Sequence, residues 1–319
     1  MATHTWVFDA PTGTYKDHAL SARLFEAAIE ETVTMDFVNS VDGYGRKRGE
    51  SVTLTRVSNV TEPTNATLSE TQRIPEDDFT VTTKEITVSE IGRAIPFTSL
   101  SEDLSHFDLE NAIQKELRKQ MTLYLDSLGL AAFKAAQLKY TPTGATAATT
   151  ATAGTAGAAA GANMNVYHVE EIRDWMYDTY HIPPYEGSDY IGIFRTKGIR
   201  GIKRDPDWED WHKYTDPAAK FNSEVGRLEQ IRFIETNHGG SAVTSAGLNS
   251  GSNLGEGVVF GDDAVAMAEA ITPELRAALP QDFGRAQAVA WYGVLAFDII
   301  WDTSNAGEAR VVHVTGTSL

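Results

Sequence analysis

Residues 204–214, RDPDWEDWHKY, gather several potential metal ligands into one short run. Asp205, Asp207, Glu209 and Asp210 offer hard oxygen donors and His212 an imidazole, the donor set of a divalent-cation site or a metal-dependent hydrolase. Trp208 and Trp211, interleaved with them, offer large flat surfaces that suit a packing edge or a contact between subunits. The spacing favours the second use. A calcium loop begun at Asp205 needs glycine at its sixth position and glutamate at its twelfth. Those positions hold Asp210 and Asp216, and Pro206 stiffens the second. A zinc hydrolase pairs two histidines one helical turn apart, as in H-E-x-x-H, and His212 has no such neighbour.

Other catalytic signatures are missing from the sequence. No G-x-S-x-G elbow, Walker loop or dinucleotide fingerprint follows a segment that reads as a strand. His4, His18, His106, His168, His181, His238 and His313 are dispersed, so a serine triad would have to assemble in space. The chain has no cysteine, which removes disulfides, thiolate catalysis and zinc–thiolate centres. The expectation is no catalytic residue, no metal and no cofactor. Two basic stretches stand out: GYGRKRGE, with Arg46, Lys47 and Arg48, and RTKGIRGIKR, with Arg195, Lys197, Arg200, Lys203 and Arg204. Such clusters meet phosphates or the carboxylates of another subunit. The first lies beside a predicted hairpin, and Arg46, Lys47, Arg48, Trp208 and Trp211 form the candidate subunit-interface set.

The elements that must position these residues are readable from periodicity. Between about Asp36 and Phe97 the pattern is extended, with SVTLTRV and DDFTVTTKEITVSEIGRAIPF reading as two long strands. The polar stretch between them, punctuated by Pro63 and Pro75, suits a hairpin tip. At roughly 3.3 Å per residue the hairpin reaches about 40 Å or more, and it has too few large apolar residues to stand alone in water. The period then changes. Leu109, Ile113, Leu117, Met121, Leu125 and Leu128 share one helical face. A helix from Asp108, its predicted N-cap, to Gln137 would run about 45 Å. Ser99 and Glu102 have the spacing of a capping box before it.

Residues 141–163, almost wholly alanine, threonine and glycine, predict a mobile surface loop, because small side chains bury too little area to offset ordering. Beyond it, Val166, Val169, Ile172, Trp175, Met176 and Tyr180 form a core-facing helical stripe stopped by Pro183 and Pro184. DYIGIFR, GRLEQIRFIET and GVVFG read as strands, DDAVAMAEA as a helix capped by Asp262 or Asp263, and RAQAVAWYGVLAFDIIWD and EARVVHVTG as closing strands. This mixed order predicts an α+β fold.

Composition bounds the function. At 319 residues, 42% hydrophobic and 22% charged, the chain can bury an ordinary globular core. No run approaches the roughly eighteen apolar residues of a membrane span, so no membrane partner is expected. The N-terminus, MATHTWVFDAPTG, lacks the basic flank and apolar segment of a signal peptide, which predicts synthesis in the cytoplasm. A formal charge of −17 repels phosphate backbones and argues against sequence-specific DNA binding.

The order of elements, with IGRAIPFTSLSEDLSHFDLENAI at 91–113, RGIKRDPDWEDWHKYTDPAAKFNSEVGRLEQIRFIETNH at 200–238 and VVFGDDAVAMA at 258–268, resembles the tailed-bacteriophage major capsid proteins of the Hong Kong 97 fold, in particular the subfamily related to the podophage N-four coat protein. That resemblance implies an N-terminal arm over 1–36, an extended loop built as a long β-hairpin over 37–97, and a peripheral domain with a spine helix over 98–140. It further implies the Ala/Thr/Gly-rich flexible loop over 141–165, a mainly axial domain over 166–285, and closing strands that return to the peripheral domain over 286–319. The implied protein is a virion shell subunit made in the host cytoplasm, forming the hexamers and pentamers of an icosahedral head around double-stranded DNA. Trp208 and Trp211 then fall near capsomer axes. Only about 35 residues precede the loop, so a separate scaffolding protein is expected, beside a portal and a decoration protein. Two other readings are an encapsulin-like compartment shell and a metal-dependent hydrolase using Asp205, Asp207, Glu209 and His212.

Overall fold

The computed structural model describes residues 32–41, 49–60, 62–63, 66–68, 70, 73–105, 108–156, 160–206, 226–238, 255–280 and 282–315. Among them the chain is α+β, built on two sheets bridged by one long helix. The first sheet has four strands. Its middle is an antiparallel pair, β11 (Val265–Ala277) and β12 (Ala286–Ile299), with β1 (Asn39–Ser40) on one edge and β4 (Ser89–Thr98) on the other. The second has seven strands in the order β6 (Ala147–Ala151), β5 (Leu138–Gly144), β13 (Val311–Val314), β10 (Gly257–Phe260), β7 (Tyr190–Arg195), β9 (Ile231–Thr236) and β8 (Arg227–Leu228). Its inner strands read as unbroken apolar runs because both faces are covered. Val258, Val259, Phe260, Ile193 and Phe194 are all fully buried.

The bridge is α2 (Leu109–Lys134), which begins where sequence places it: the Asp108 side chain accepts from the Asn111 N–H at 3.0 Å. Its first turns lay Ile113, Leu117 and Leu125 on Val289, Trp291 and Leu295 of the four-stranded sheet. Its last turns bring Leu130 and Phe133 into a cluster with Ile193, Val258 and Phe260 of the seven-stranded one. One helix therefore contributes to two cores and fixes their separation. The short α1 (Ser99–Asp103) precedes it, and its capping box lies one residue earlier than Ser99/Glu102. The Thr98 hydroxyl accepts from the Ser101 N–H, and the Ser101 hydroxyl from the Thr98 N–H, both at 3.2 Å.

Several expectations give way to tertiary context. The loop expected over 141–163 is a β-hairpin in its first part: Leu138–Gly144 pairs with Ala147–Ala151 at the sheet edge, with Tyr140 and Thr141 fully buried. An edge strand demands little burial of its own, so alanine and threonine suffice. Beyond it, Gly154 donates to the Gln137 carbonyl at 2.9 Å and Gly161 to that of Pro142 at 3.0 Å. DDAVAMAEA is not a helix but the start of β11; pairing on both sides outweighs alanine's helical preference. The closing strands part company, for β12 joins the four-stranded sheet while β13 enters the middle of the seven-stranded one. The stripe from Val166 does form a helix, α3 (Val166–Asp174), continued by a π-turn over Trp175–Thr179. The basic run 195–204 forms α4 (Thr196–Lys203), with Ile199 and Ile202 buried.

The chain ahead of β1 is fastened to α2 by one carboxylate. Buried Asp126 accepts through Oδ1 from the Val33 N–H at 3.1 Å, the Thr34 N–H at 2.8 Å and the Thr34 hydroxyl. Asp126→Ala strands these donors in an apolar site, and a loss of about 2–4 kcal/mol in chemical denaturation is expected, with Asp126→Asn, which keeps an acceptor oxygen, falling less.

Candidate functional site

The residues that sequence singles out for an interface, Arg46, Lys47, Arg48, Trp208 and Trp211, lie outside the described residues. So do Asp207, Glu209, Asp210 and His212. Asp205 is described, and it has a structural task. Its Oδ2 accepts from the Val166 N–H at 3.2 Å, satisfying a free donor in the first turn of α3. Among the described residues no three His, Asp or Glu side chains stand together as a metal site.

A serine, a histidine and an aspartate do meet in space. Ser127 Oγ lies 2.9 Å from His238 Nε2, and Asp126 Oδ2 lies 3.6 Å from the same nitrogen. A triad needs the two ring nitrogens in separate roles, one facing the serine and the other the carboxylate. Here one nitrogen faces both, the three side chains are buried, and the Ser127 hydroxyl also donates to the Leu123 carbonyl at 2.9 Å. The cluster joins α2 to the strand end after β9. A second buried cluster joins α2 to the seven-stranded sheet. Glu256 Oε1 lies 3.0 Å from Lys134 Nζ and 3.2 Å from His313 Nε2, while Lys139 Nζ lies 3.3 Å from His313 Nδ1 and donates to the Lys134 carbonyl at 2.7 Å. Burial pushes the His313 imidazole below its ordinary value and the Lys139 amine down to about 8. Burial also works against the Glu256 carboxylate, but His313 and Lys134 outweigh it and hold its pKa low. Both clusters are closed interior networks that stiffen the frame.

What the frame presents outward is the hairpin of β2 (Ser51–Val57) and β3 (Val81–Thr87), paired from Ser51–Thr87 to Val57–Val81. It is a separate two-stranded sheet and cannot hold itself. Its root rests Ile86, fully buried, on Ala266 and Ala268 of β11, with Val52 and Leu54 packed alongside. Beyond the root an ionic footing takes over. Arg56, only 9% exposed, donates from Nη1 to the Ile300 carbonyl at 3.1 Å and to Asp302 at 2.5 Å. Lys84 meets Asp298 at 3.1 Å and Asp302 at 3.3 Å. The Trp301 ring lies within 5.5 Å of the Arg56 guanidinium and 5.4 Å of that of Arg310. Asn59 fills the space a side chain at 307 would need; Gly307 also holds φ +78°, which glycine alone adopts freely. Past this footing Ile74 and Phe79, each 67% exposed, stand in an extended segment that pairs with no strand among the described residues. Sequence places the tip there but gives no sign of the footing, whose partners lie more than two hundred residues apart in the chain.

A sparse projecting ribbon on a rigid two-sheet frame is a subunit design, and sequence comparison names it. Residues 17–184, more than half the chain, match the model of the Phage capsid family. The chain belongs to the phage capsid family. As a whole the capsid subunit is similar to solved phage heads: a chain of the cyanophage Pam1 capsid asymmetric unit (TM-score 0.71, 11% identity, covering 98% of this chain and 99% of that one), the head of Helicobacter pylori bacteriophage KHP40 (0.70, 11%, all of both chains), and the capsid of cyanophage P-SCSP1u (0.67, 12%, all of both chains). At such identities the likeness is one of fold, and that fold is the Hong Kong 97 type. No curated protein matches the capsid subunit by sequence. Its function is that of a major capsid protein, a subunit of the phage shell.

The footing carries a pH signature. Partial burial alone would raise the Asp302 carboxyl, but Arg56 and Lys84 outweigh it and hold it below the carboxylate range. Partial burial alone would lower the Lys84 amine, but Asp298 and Asp302 outweigh that and raise it. The Asp302 contribution is therefore complete above about pH 4 and fades as pH falls through its lowered value, while that of Lys84 is complete below about pH 10 and fades as pH rises through its raised one. The stability gap between wild type and Asp302→Asn, followed by chemical denaturation, should be constant near neutrality and close in acid. The gap for Lys84→Met should close in strong alkali.

Proposed function

We propose that this major capsid protein assembles as hexamers and pentamers of an icosahedral head that encloses double-stranded DNA without reading its sequence. The observation that carries the reading is the β2–β3 ribbon, anchored at its root and exposing Ile74 and Phe79 beyond it. Such a ribbon gains a second buried face only by lying on another molecule. Repeated around closed rings, contacts of that kind give collective stability without any single tight interface. The net charge of −17 suits a container whose wall repels its contents.

In this reading β2 and β3 are the extended loop, α2 with the four-stranded sheet is the peripheral domain, α2 serving as spine helix, and the seven-stranded sheet is the axial domain. The part from 265 belongs with the peripheral domain until β13 crosses back, which moves the boundary expected near 285. The subunit works with no catalytic residue and no cofactor, is made in the host cytoplasm, and is joined in the head by a scaffolding protein, a portal and a decoration protein. Within the family we place it beside the podophage N-four coat protein, on the sequence blocks quoted above. Arg46, Lys47 and Arg48, next to the hairpin, and Trp208 and Trp211 serve as subunit contacts.

Electron microscopy of the chain expressed with its head proteins is expected to show closed particles. Deleting residues 61–78 should leave a soluble subunit with unchanged far-ultraviolet circular dichroism and no shells. Normal shells from that deletion would refute the role given to the hairpin.

A further inference from the structure

α4 carries the second basic stretch of an otherwise acidic chain, and the frame uses only its apolar side. Ile199 and Ile202 are fully buried, and two glycines bring the helix down onto backbone. A side chain at Gly201 would meet the Met164 carbonyl oxygen at 2.0 Å, and one at Gly198 that of Gly255 at 3.0 Å. Seated so closely, the helix has little freedom to turn about its axis. Lys197, Arg200 and Arg204 follow one another at i, i+3 and i+7, which puts them on one side of it. Arg200 and Arg204 are exposed and Lys197 is half-buried.

The charge of this stripe has no counterpart within the frame. Lys203, beside it, meets Glu235 at 3.0 Å, and the Asp205 carboxylate accepts from the Val166 N–H at 3.2 Å. Among the described residues no carboxylate pairs with Lys197, Arg200 or Arg204. A cation in the last turn of a helix gains from the helix dipole, which suits Lys203 and Arg204. Lys197 stands instead in the first turn, where a carboxylate is favoured and none is present, and Arg195 holds the N-cap. A cation set against the dipole, without a carboxylate to meet it, points to an anion outside the chain.

The spacing says which kind. From Lys197 to Arg204 the helix rises roughly 10 Å, and each strand of a DNA duplex sets a phosphate about every 3.4 Å of its axis, so the three cations span about three phosphates. Two of the three are arginine, whose planar fork matches a pair of phosphate oxygens. We infer that the stripe of Lys197, Arg200 and Arg204 lies on the inner wall of the shell and holds the phosphate backbone of the packaged double-stranded DNA. This rests on the shell reading above and deepens it. A wall that repels its contents over most of its area keeps one row of contacts, which fixes the outermost turn of DNA without reading its sequence. The rival anion, a row of carboxylates on a second copy, is separated by the test.

The free subunit is titrated with a short fluorescein-labelled DNA duplex over a range of salt. Fluorescence polarisation should show binding whose log K falls with log salt at a slope of about −2.7, three phosphates at roughly 0.9 each. Lys197→Gln/Arg200→Gln/Arg204→Gln should weaken that binding at least about tenfold and flatten the slope. The same variant should melt as wild type does and form closed, DNA-free particles in normal yield. Arg200→Lys/Arg204→Lys should keep the slope, and Arg46→Gln/Lys47→Gln/Arg48→Gln should leave binding unchanged. Wild-type affinity in the triple glutamine variant at 197, 200 and 204, or loss of binding with the Arg46 stretch instead, would overturn the inference. So would failure of that variant to form particles before any DNA enters, which would make the stripe a contact between copies. Failure of the unaltered chain to make any particle would sink the shell reading and the inner-wall placement with it, while the titration still decides the phosphate contact.

Discussion

A ribbon of two β-strands has no interior. Each strand has one hydrogen-bonded partner, and neither face is covered until something lies against it. In this capsid subunit that constraint governs the placing of nearly everything else. The root of the β2–β3 ribbon is spread over the four-stranded sheet through Ile86, and its middle is held to the chain after β12 by Arg56, Lys84, Asp298 and Asp302. Beyond it Ile74 and Phe79 stand exposed. Charges suit the middle position because an ion pair fixes direction at little cost in a half-wet site, whereas greasy contacts there would leave a larger sticky surface on the free subunit.

The frame that carries the ribbon is stiffened from within. α2 belongs to two cores, and polar groups fix its alignment with each. Asp126 ties it to the strand-entering chain at Thr34, Ser127 to His238, and Lys134 to Glu256 and His313. Buried polar groups of this kind tolerate few alternative arrangements, since any slip leaves a donor or carboxylate without its partner. The same groups could be mistaken for catalytic apparatus from their types alone. Burial marks both clusters as joints, and at His238 the serine and the carboxylate facing one ring nitrogen does so again.

Sequence made the long helix legible because six apolar residues repeat on one face, and it made the ribbon legible because its strands alternate around a proline-punctuated polar tip. It misled wherever partners outside the window decide. The stretch after Asp263 is alanine-rich and acid-capped, and reads as a helix until β12 and β1 claim both its edges. Residues 141–151 look too small to hold a fixed place, yet an edge hairpin asks for backbone partners more than for bulk. The footing left no local trace at all, because Arg56 and Asp302 look like ordinary solvated charges until the fold brings them together. Of the interface residues picked by type, Trp208 and Trp211 lie outside the described residues; among the described residues the most exposed aromatic is Phe79, at 67%.

The position of β13 has a consequence for how the subunit is born. This strand follows every other described strand in the chain, yet it sits third in a sheet of seven, and it alone joins the β6–β5 pair to the four strands beyond. During translation the two halves of that sheet emerge with no hydrogen bond between them and wait for residues 311–314. A ribosome that stalls or terminates early therefore releases a molecule with an open slot through its middle. Residues 311–314 are thus the keystone of the sheet: without them its two parts share no strand ladder.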